Sequence, residues 1–130
     1  LYIANRFEFR PQIMSWLESG TMVVCDRYLA SSIAYGEAQG VDAQWLTDIQ
    51  RLLPQPSLTL FMDMSPSVSL TRKKAARDKF ERDMPLLGRV RDSYLRQSQA
   101  PGWVRINAED DKDAVSADVV NAVRSRLGLL

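Results

Sequence analysis

The sequence has 130 residues, 45% of them apolar, and a formal net charge of +1. This length and composition predict one cytoplasmic globular domain, and no apolar run approaches the roughly 18 residues that suggest a membrane span. A single cysteine and the absence of histidine exclude an internal disulfide, a multi-cysteine zinc site and imidazole chemistry.

Charge is unevenly distributed along the chain. Residues 66–100 carry a net charge of +5, and the remainder carries −4. A local basic patch predicts an anionic ligand nearby, whereas a nearly neutral domain argues against a nucleic-acid partner.

The first elements in chain order are a helix and a strand. Apolar and aromatic spacing predicts a helix over residues 2–17 that ends at Gly20, with a kink or break near Pro11. Residues 22–25 are continuously apolar, which predicts a buried strand of a parallel sheet with Cys25 as a buried thiol.

Two helices are predicted next. One covers about residues 28–39 and is closed by Gly40. The other follows the spacing of apolar residues over 41–53, with Asp42 as its N-cap.

The second half repeats the alternation of strands and helices. Ser65 and Pro66 predict a helix start, as N-cap and first helical residue. The predicted elements are a strand over 58–62, a helix from 65 to about 77, a helix over 80–99, a strand over 103–107 and a helix over 115–127. This order predicts an α/β protein with a parallel sheet covered by helices.

The segment from Asp26 to Tyr35 concentrates chemically useful side chains. A carboxylate at a strand end suits a magnesium ion beside phosphates, although capping of the next helix is the more common role for such an aspartate as Asp26. The guanidinium of Arg27 suits a phosphate, or an ordinary surface ion pair.

Two further groups have competing interpretations. Tyr2 and Arg6 lie one helical turn apart and suit a planar base, or a core tyrosine beside a surface charge. A basic cluster suits a lid that closes over a transferred phosphoryl group, or a solvated helix face. Its members are Arg72, Lys73, Lys74, Arg77 and Lys79.

The lack of histidine fits phosphoryl transfer to a nucleoside monophosphate. The second pKa of such a phosphate is near 6, so the acceptor is already ionised at neutral pH. No general base is then required.

These segments resemble the thymidylate kinase family from Leu1 to about Leu127. The resemblance is carried by LYIANR, VVCDRYLASSIAYG, LPQPSLTLFMDMSPSVSLTRKKAARDKFE and INAEDDKDAV. It implies one domain over 1–130 with the three-layer parallel sheet of P-loop nucleoside monophosphate kinases. It also implies transfer of the γ-phosphoryl group of ATP to dTMP with Mg²⁺, and a homodimer.

The resemblance assigns an acceptor site. Tyr2 would stack on thymine, Arg6 would bind its carbonyl edge, and Arg27 would hold the acceptor phosphate. Tyr35 would crowd the sugar and disfavour a 2′-hydroxyl, and Asp26 would help to organise magnesium. Independently of the resemblance, Ser31, Ser32 and Gly36 of the same segment are further candidate acceptor residues.

It also assigns an ATP site and a lid over 72–81. Arg72 would lie along adenine, and the turn formed by Asn107, Ala108 and Glu109 would flank it. Phe80 would close over the deoxyribose. Arg77 and Lys79 are both catalytic candidates, and either could approach the transferred phosphate.

Two positions depart from the family pattern. Gly36 and Glu37 stand where many members have a glutamine or asparagine that meets the thymine edge. Lys79 stands where the lid usually has arginine, which keeps the charge but loses the bidentate fork.

The phosphate loop GxxxxGK[ST] does not occur in the 130 residues, which start at Leu1 within a helical pattern. We therefore expect the N-terminal βα part of the fold to precede them, with roughly 70 residues, as the resemblance implies through the family's single-domain length. The alternatives are another nucleoside or nucleotide kinase, or a non-catalytic nucleotide-binding protein without that loop.

Overall fold

The computed structural model describes residues 2–72 and 77–129, and the side chains of Leu70 and of residues 77–82 are outside that description. The elements fall into two units, unit 1 from Leu1 to Gln55 and unit 2 from Pro56 to Leu130. In chain order they are α1 (Tyr2–Glu18), α2 (Leu29–Ala38), α3 (Ala43–Asp48), β1 (Thr59–Asp63), α4 (Pro66–Arg72), α5 (Arg77–Gln97), β2 (Trp103–Asn107) and α6 (Lys112–Leu127).

Glycines end α1 and α2, as the sequence predicts. Gly20 has φ of 79° and Gly40 has φ of 90°, a left-handed conformation that glycine adopts without a Cβ penalty. After α1, the Thr21 N–H donates to the Trp16 carbonyl at 2.9 Å and the Gly20 N–H donates to the Leu17 carbonyl at 3.0 Å. Paired bonds of this kind satisfy the last carbonyls of a helix.

The predicted break at Pro11 is absent. Helix α1 continues through Pro11, with nine helical residues before it and seven after it. Proline removes one backbone donor, but its fixed φ is compatible with a helix.

The predicted strand over 22–25 is wrong. Residues 21–25 have no regular secondary structure, and the side chains of Met22 and Val24 are 56% and 86% exposed. Cys25 is exposed as well, contrary to the expectation of a buried thiol. An apolar run becomes a strand only where another strand pairs with it. Among the described residues, the only paired strands are β1 and β2.

The core of unit 1 lies between α2 and α3. Asp42 is the N-cap of α3, as predicted, and its Oδ1 accepts from the Trp45 N–H at 2.6 Å. Buried apolar side chains from both helices and the following turn fill the space: Leu29, Ala34, Ala38, Leu46 and Leu53.

Unit 2 is built on the parallel pairing of β1 with β2. Thr59 pairs with Trp103 and Asp63 pairs with Asn107, so both strands end at the same edge. The sequence predicts both strands to within one residue. Helix α4 begins at Pro66, as predicted, and residues 73–76 beyond it are outside the described part.

Aromatic packing joins α5 to this sheet. The rings of Phe61 and Tyr94 stack with centroids 5.3 Å apart, and Val90 is buried beside them on α5. Within residues 2–72 and 77–129, no helix has the length and apolar character needed to cross a membrane.

Two arginines hold the carboxylate at the end of β1. Asp63 is 5% exposed, and it accepts from Arg91 Nε at 2.7 Å and from Arg105 Nε at 2.8 Å. Arg91 Nη2 adds a bond of 3.1 Å, and Arg105 Nη2 bonds the same carboxylate. The bond from Arg91 holds the pKa of Asp63 below its ordinary value, Arg105 lowers it further, and burial opposes both.

Replacing this carboxylate should make unit 2 less stable. We expect Asp63→Asn to lower the free energy of unfolding at pH 7 by about 2 kcal/mol, because two arginines lose a buried charged partner. Since the folded-state pKa is lowered, the stabilisation is complete above the ordinary value of 3.8 and is lost as the pH falls through the folded value. Urea unfolding across pH measures it.

The difference between wild type and Asp63→Asn should therefore narrow below pH 3.8. Asp118→Asn, at an exposed position of α6, is the matched control and should change stability little. A difference that stays constant across pH would contradict the role assigned to Asp63.

Candidate functional site

A cleft of about 870 Å³ lies within unit 1. We refer to it as the acceptor cleft. It brings together every unit 1 residue that the sequence assigns to a site: Tyr2, Arg6, Asp26, Arg27, Ser31, Ser32, Tyr35 and Gly36. Their placement around one space is observed, and their individual roles remain predictions.

Helical spacing explains how the acceptor cleft is lined. Helix α1 contributes residues at intervals of three and four, which share one face of a helix. These are Tyr2, Asn5, Arg6, Phe9 and Ile13. Helix α2 does the same with Ser31, Ser32 and Tyr35, and residues 25–28 link the two helices along the same cleft.

Arg6 is the most connected side chain of the acceptor cleft. Its Nη1 donates to Ser32 Oγ at 2.5 Å and to Gln50 Oε1 at 3.1 Å. Its Cζ lies 5.4 Å from the centre of the Tyr28 ring, within the range of a cation–π contact. The position of the guanidinium is therefore defined by three neighbours from two other segments.

Arg27 combines an unusual backbone with an aromatic contact. Its φ is 63°, which makes it the one non-glycine residue with positive φ in the described part. For a residue with a Cβ this conformation costs about 1 kcal/mol. Its Cζ lies 5.4 Å from the centre of the Tyr35 ring. Strained backbone of this kind is found at functional sites.

Tyr28 brings a buried hydroxyl to the cleft wall. Its oxygen has no hydrogen-bond partner among the described residues. Burial raises the pKa of Tyr28, Cys25 raises it further, and Arg6 opposes both. Tyr28 therefore stays neutral near pH 7.

Gly36 permits the close contact between α2 and α3. A Cβ on Gly36 would lie 2.6 Å from Leu46 Cδ1 and 3.3 Å from Cδ2, and Leu46 is buried. Distances below 3.0 Å require a neighbour to move. A residue with a side chain cannot occupy this position unless Leu46 shifts.

The acceptor cleft fits a magnesium ion only in part. Within the described ranges, no group of three or more His, Cys, Asp or Glu side chains could hold a metal. Asp26 is exposed and lines the cleft. A single carboxylate suits Mg²⁺ where water and substrate phosphates supply the other ligands.

In unit 2, Arg72 binds the loop that follows β2. Its Nη1 donates to the Ala108 carbonyl at 2.8 Å, and its Nη2 donates to the carbonyls of Glu109 at 2.7 Å and Asp110 at 3.1 Å. These bonds use the edge of the guanidinium and fix its plane.

The same loop is attached at the start of α4 and folded on itself. Glu109 Oε1 accepts from the Ser65 N–H at 2.8 Å, and this bond holds the pKa of Glu109 below its ordinary value. Asn107 Oδ1 accepts from the Glu109 N–H, and Asn107 Nδ2 donates to Asp110. The predicted residues Arg72, Asn107, Ala108 and Glu109 therefore form one assembly.

Other predicted residues lie outside the described part. The side chains of Arg77, Lys79 and Phe80 belong to this group, as do Lys73 and Lys74. The lid over 72–81 therefore remains a prediction.

Sequence reasoning missed Gln50, Asn5 and Gln39. Gln50 is 2% exposed and contacts Arg6, whereas Asn5 and Gln39 line the acceptor cleft directly. The spacing of Asn5 from Tyr2 could have identified it, since residues three apart share a helix face. Nothing local distinguishes Gln50 from a surface glutamine.

Comparison with known proteins gives a consistent result. The family model described as Thymidylate kinase matches residues 1–119. A probable thymidylate kinase of Pyrobaculum calidifontis is 35% identical over 133 residues, which cover 100% of this chain and 68% of the relative. Those of Pyrococcus abyssi and Staphylothermus marinus are 35% and 33% identical, over 98% and 97% of this chain.

The chain is shorter than these relatives. It spans 64% of the length of the Pyrococcus abyssi protein and 65% of the Staphylothermus marinus protein. The matches therefore cover nearly all of this chain but only about two thirds of the curated relatives.

Adding a methyl group at position 36 distinguishes the effect of the α2–α3 contact from the effect of helix propensity. We expect Gly36→Ala to lower the free energy of unfolding by about 1 kcal/mol, because overpacking against Leu46 outweighs the better helix propensity of alanine. Gly88→Ala is the matched control, since nothing lies within 4 Å of that position on α5. It should stabilise by up to about 1 kcal/mol. Equal stabilisation by both changes, measured by urea unfolding, would contradict the close contact.

Proposed function

The chain belongs to the thymidylate kinase family, and from this premise we propose that the protein transfers the γ-phosphoryl group of ATP to dTMP, giving dTDP and ADP. One observation carries the proposal. The acceptor cleft is lined by all eight unit 1 residues that the sequence assigns to the acceptor and its metal.

Arg27 is the proposed ligand of the acceptor phosphate. It lines the cleft beside Asp26, and its contact with Tyr35 restricts where the guanidinium can lie. Arginine recognises phosphate oxygens through two parallel N–H donors, so a restricted guanidinium loses less entropy on binding.

Tyr2 and Arg6 are the proposed base-binding pair. The Tyr2 side chain is 79% exposed at the cleft, which leaves its ring available for stacking. Arg6 is bound to Ser32 and Gln50, so its guanidinium is oriented before a base arrives. Tyr35 would then crowd the sugar, with Ser31 nearby and Gly36 leaving room beside it.

The chemistry needs little from the protein beyond alignment and charge. The acceptor phosphate is ionised near pH 7 and is itself the nucleophile. Asp26 would hold Mg²⁺ as its one protein carboxylate, and the ion would neutralise charge on the phosphates. Arginines oriented in advance stabilise the charge that spreads over the transferred group.

Arg72 and its loop are the proposed adenine-binding elements. The edge of the Arg72 guanidinium is occupied by the carbonyls of the loop, which supports use of its face for stacking. Asn107, Ala108 and Glu109 would flank the ring. Arg77, Lys79 and Phe80 are proposed lid residues on the basis of the resemblance.

Three further properties are proposed with this function, namely cellular location, sheet architecture and oligomeric state. We propose a cytoplasmic enzyme whose parallel pair β1–β2 belongs to a three-layer sheet. We also propose a homodimer. Exposed apolar side chains support it, on α1 at Trp16 and Leu17 and on α3 at Trp45.

A second candidate is a kinase for a different base. Gly36 supports this alternative, because it supplies no amide to the thymine edge, and a larger residue there would require Leu46 to shift. Gln39 lines the same cleft one helical turn later and offers a carboxamide.

Substrate preference decides between these candidates. We expect the full-length protein to release ADP with dTMP and dUMP in a coupled assay and to respond weakly to CMP and AMP. A preference for CMP or AMP would favour the second candidate. Binding of dTMP without ADP release would instead favour a non-catalytic nucleotide-binding protein.

Arg27 provides the sharpest single-residue test. We expect Arg27→Ala to lower kcat/KM for dTMP by about 10- to 100-fold, through a higher KM and a lower kcat, since a charged hydrogen bond is worth about 1.5–3 kcal/mol. Arg51→Ala is the matched control, because Arg51 is exposed and does not line the cleft. Unchanged steady-state kinetics in Arg27→Ala would remove its phosphate role.

A further inference from the structure

Gln50 is a buried polar side chain that the proposed mechanism does not use. It is 2% exposed, and it does not line the acceptor cleft. Burial of an amide is costly unless its donors and acceptor are satisfied. The buried amide of Gln50 therefore needs hydrogen-bond partners, and the structure provides them.

The orientation of the Gln50 amide is determined by backbone carbonyls. Its Nε2 donates to the Leu46 carbonyl at 2.9 Å and to the Leu29 carbonyl at 3.5 Å. Both partners can only accept, so the nitrogen must face them. The oxygen of the amide then points the other way.

That oxygen meets Arg6. Gln50 Oε1 accepts from Arg6 Nη1 at 3.1 Å, and the same nitrogen donates to Ser32 Oγ. Helices α2 and α3 thus fix the acceptor that Arg6 needs. Gln50 does not line the acceptor cleft, whereas Arg6 does, so a direct path from Gln50 to a ligand there runs through Arg6.

We propose that Gln50 is a positioning residue, which holds the Arg6 guanidinium in the orientation that recognises the carbonyl edge of a pyrimidine base. This inference rests on the proposed role of Arg6 in base recognition. Because Gln50 acts on the base and not on the phosphate, its loss should weaken binding of the monophosphate and leave ATP use unchanged.

Gln50→Met tests the proposal, because methionine has a similar volume but neither the hydrogen-bond donor nor the acceptor of the amide. We expect the KM for dTMP to rise about fivefold, which corresponds to the loss of one hydrogen bond, with an unchanged KM for ATP. Gln44→Met is the matched control, since Gln44 lies on the exposed side of α3 and bonds only Asp48 among the contacts described for it. It should leave both KM values unchanged.

Gln50→Glu separates positioning from a purely structural role. Glutamate keeps an acceptor for Arg6 but loses the donor to the Leu46 and Leu29 carbonyls. We expect Gln50→Glu to retain a KM for dTMP near the wild-type value while it loses thermal stability. If the role were structural only, Gln50→Glu would raise the KM at least as much as Gln50→Met, and that result would overturn the proposal.

A double-mutant cycle supplies the second readout. In an Arg6→Ala background, Gln50→Met should change the KM for dTMP by less than about twofold, because independent sites add and coupled ones do not. A full fivefold effect in that background would overturn the proposal. Failure of wild type to use dTMP would overturn the proposed function, whereas normal turnover with an unchanged KM in Gln50→Met would overturn this inference alone.

Discussion

The parallel pairing of β1 with β2 determines how unit 2 is assembled. Because both strands end at one edge, the chain that leaves β2 begins beside the end of β1, and the Ala108 N–H donates to the Asp63 carbonyl at 2.8 Å. The loop from Asn107 to Asp110 therefore starts from a fixed point. Arg72 at the end of α4 can then bind three carbonyls of that loop. The register of β1 and β2 thus brings together candidate ligand-binding residues that are more than thirty positions apart in the sequence.

Unit 1 reaches a comparable result without a sheet. Helix α2, which lines the acceptor cleft, packs closely against α3, because Gly36 has no side chain and Leu46 fills the space. The same approach brings Gln50 under α2, where it meets the Leu29 carbonyl and Arg6. The contact between α2 and α3 thus contributes both to the packing of these helices and to the orientation of the Arg6 side chain. Gly36 therefore affects the cleft although it has no side chain, because it determines how closely α2 packs against α3.

Structural features that depend on residues a few positions apart were mostly predicted, whereas features that depend on residues distant in the sequence were the source of the errors. Helix spacing, the N-cap at Asp42 and the glycines at 20 and 40 depend on residues a few positions apart, so they could be read from the sequence. The strand over 22–25 was wrong because an apolar run cannot report whether another strand will pair with it. The partners of Asp63 were equally hidden, since Arg91 and Arg105 lie 28 and 42 positions away. The cleft residues were predicted chiefly through family resemblance, which carries three-dimensional information that composition and periodicity do not.

Cys25 is a feature with a practical consequence for experiments on this protein. It is the one cysteine in the 130 residues, it is exposed, and it lines the acceptor cleft next to Asp26. Within these 130 residues, a thiol-reactive fluorophore would therefore attach at a single place, at the edge of the space that a ligand would fill. Emission from that dye would report occupancy of the cleft in real time, without turnover and without an engineered labelling position.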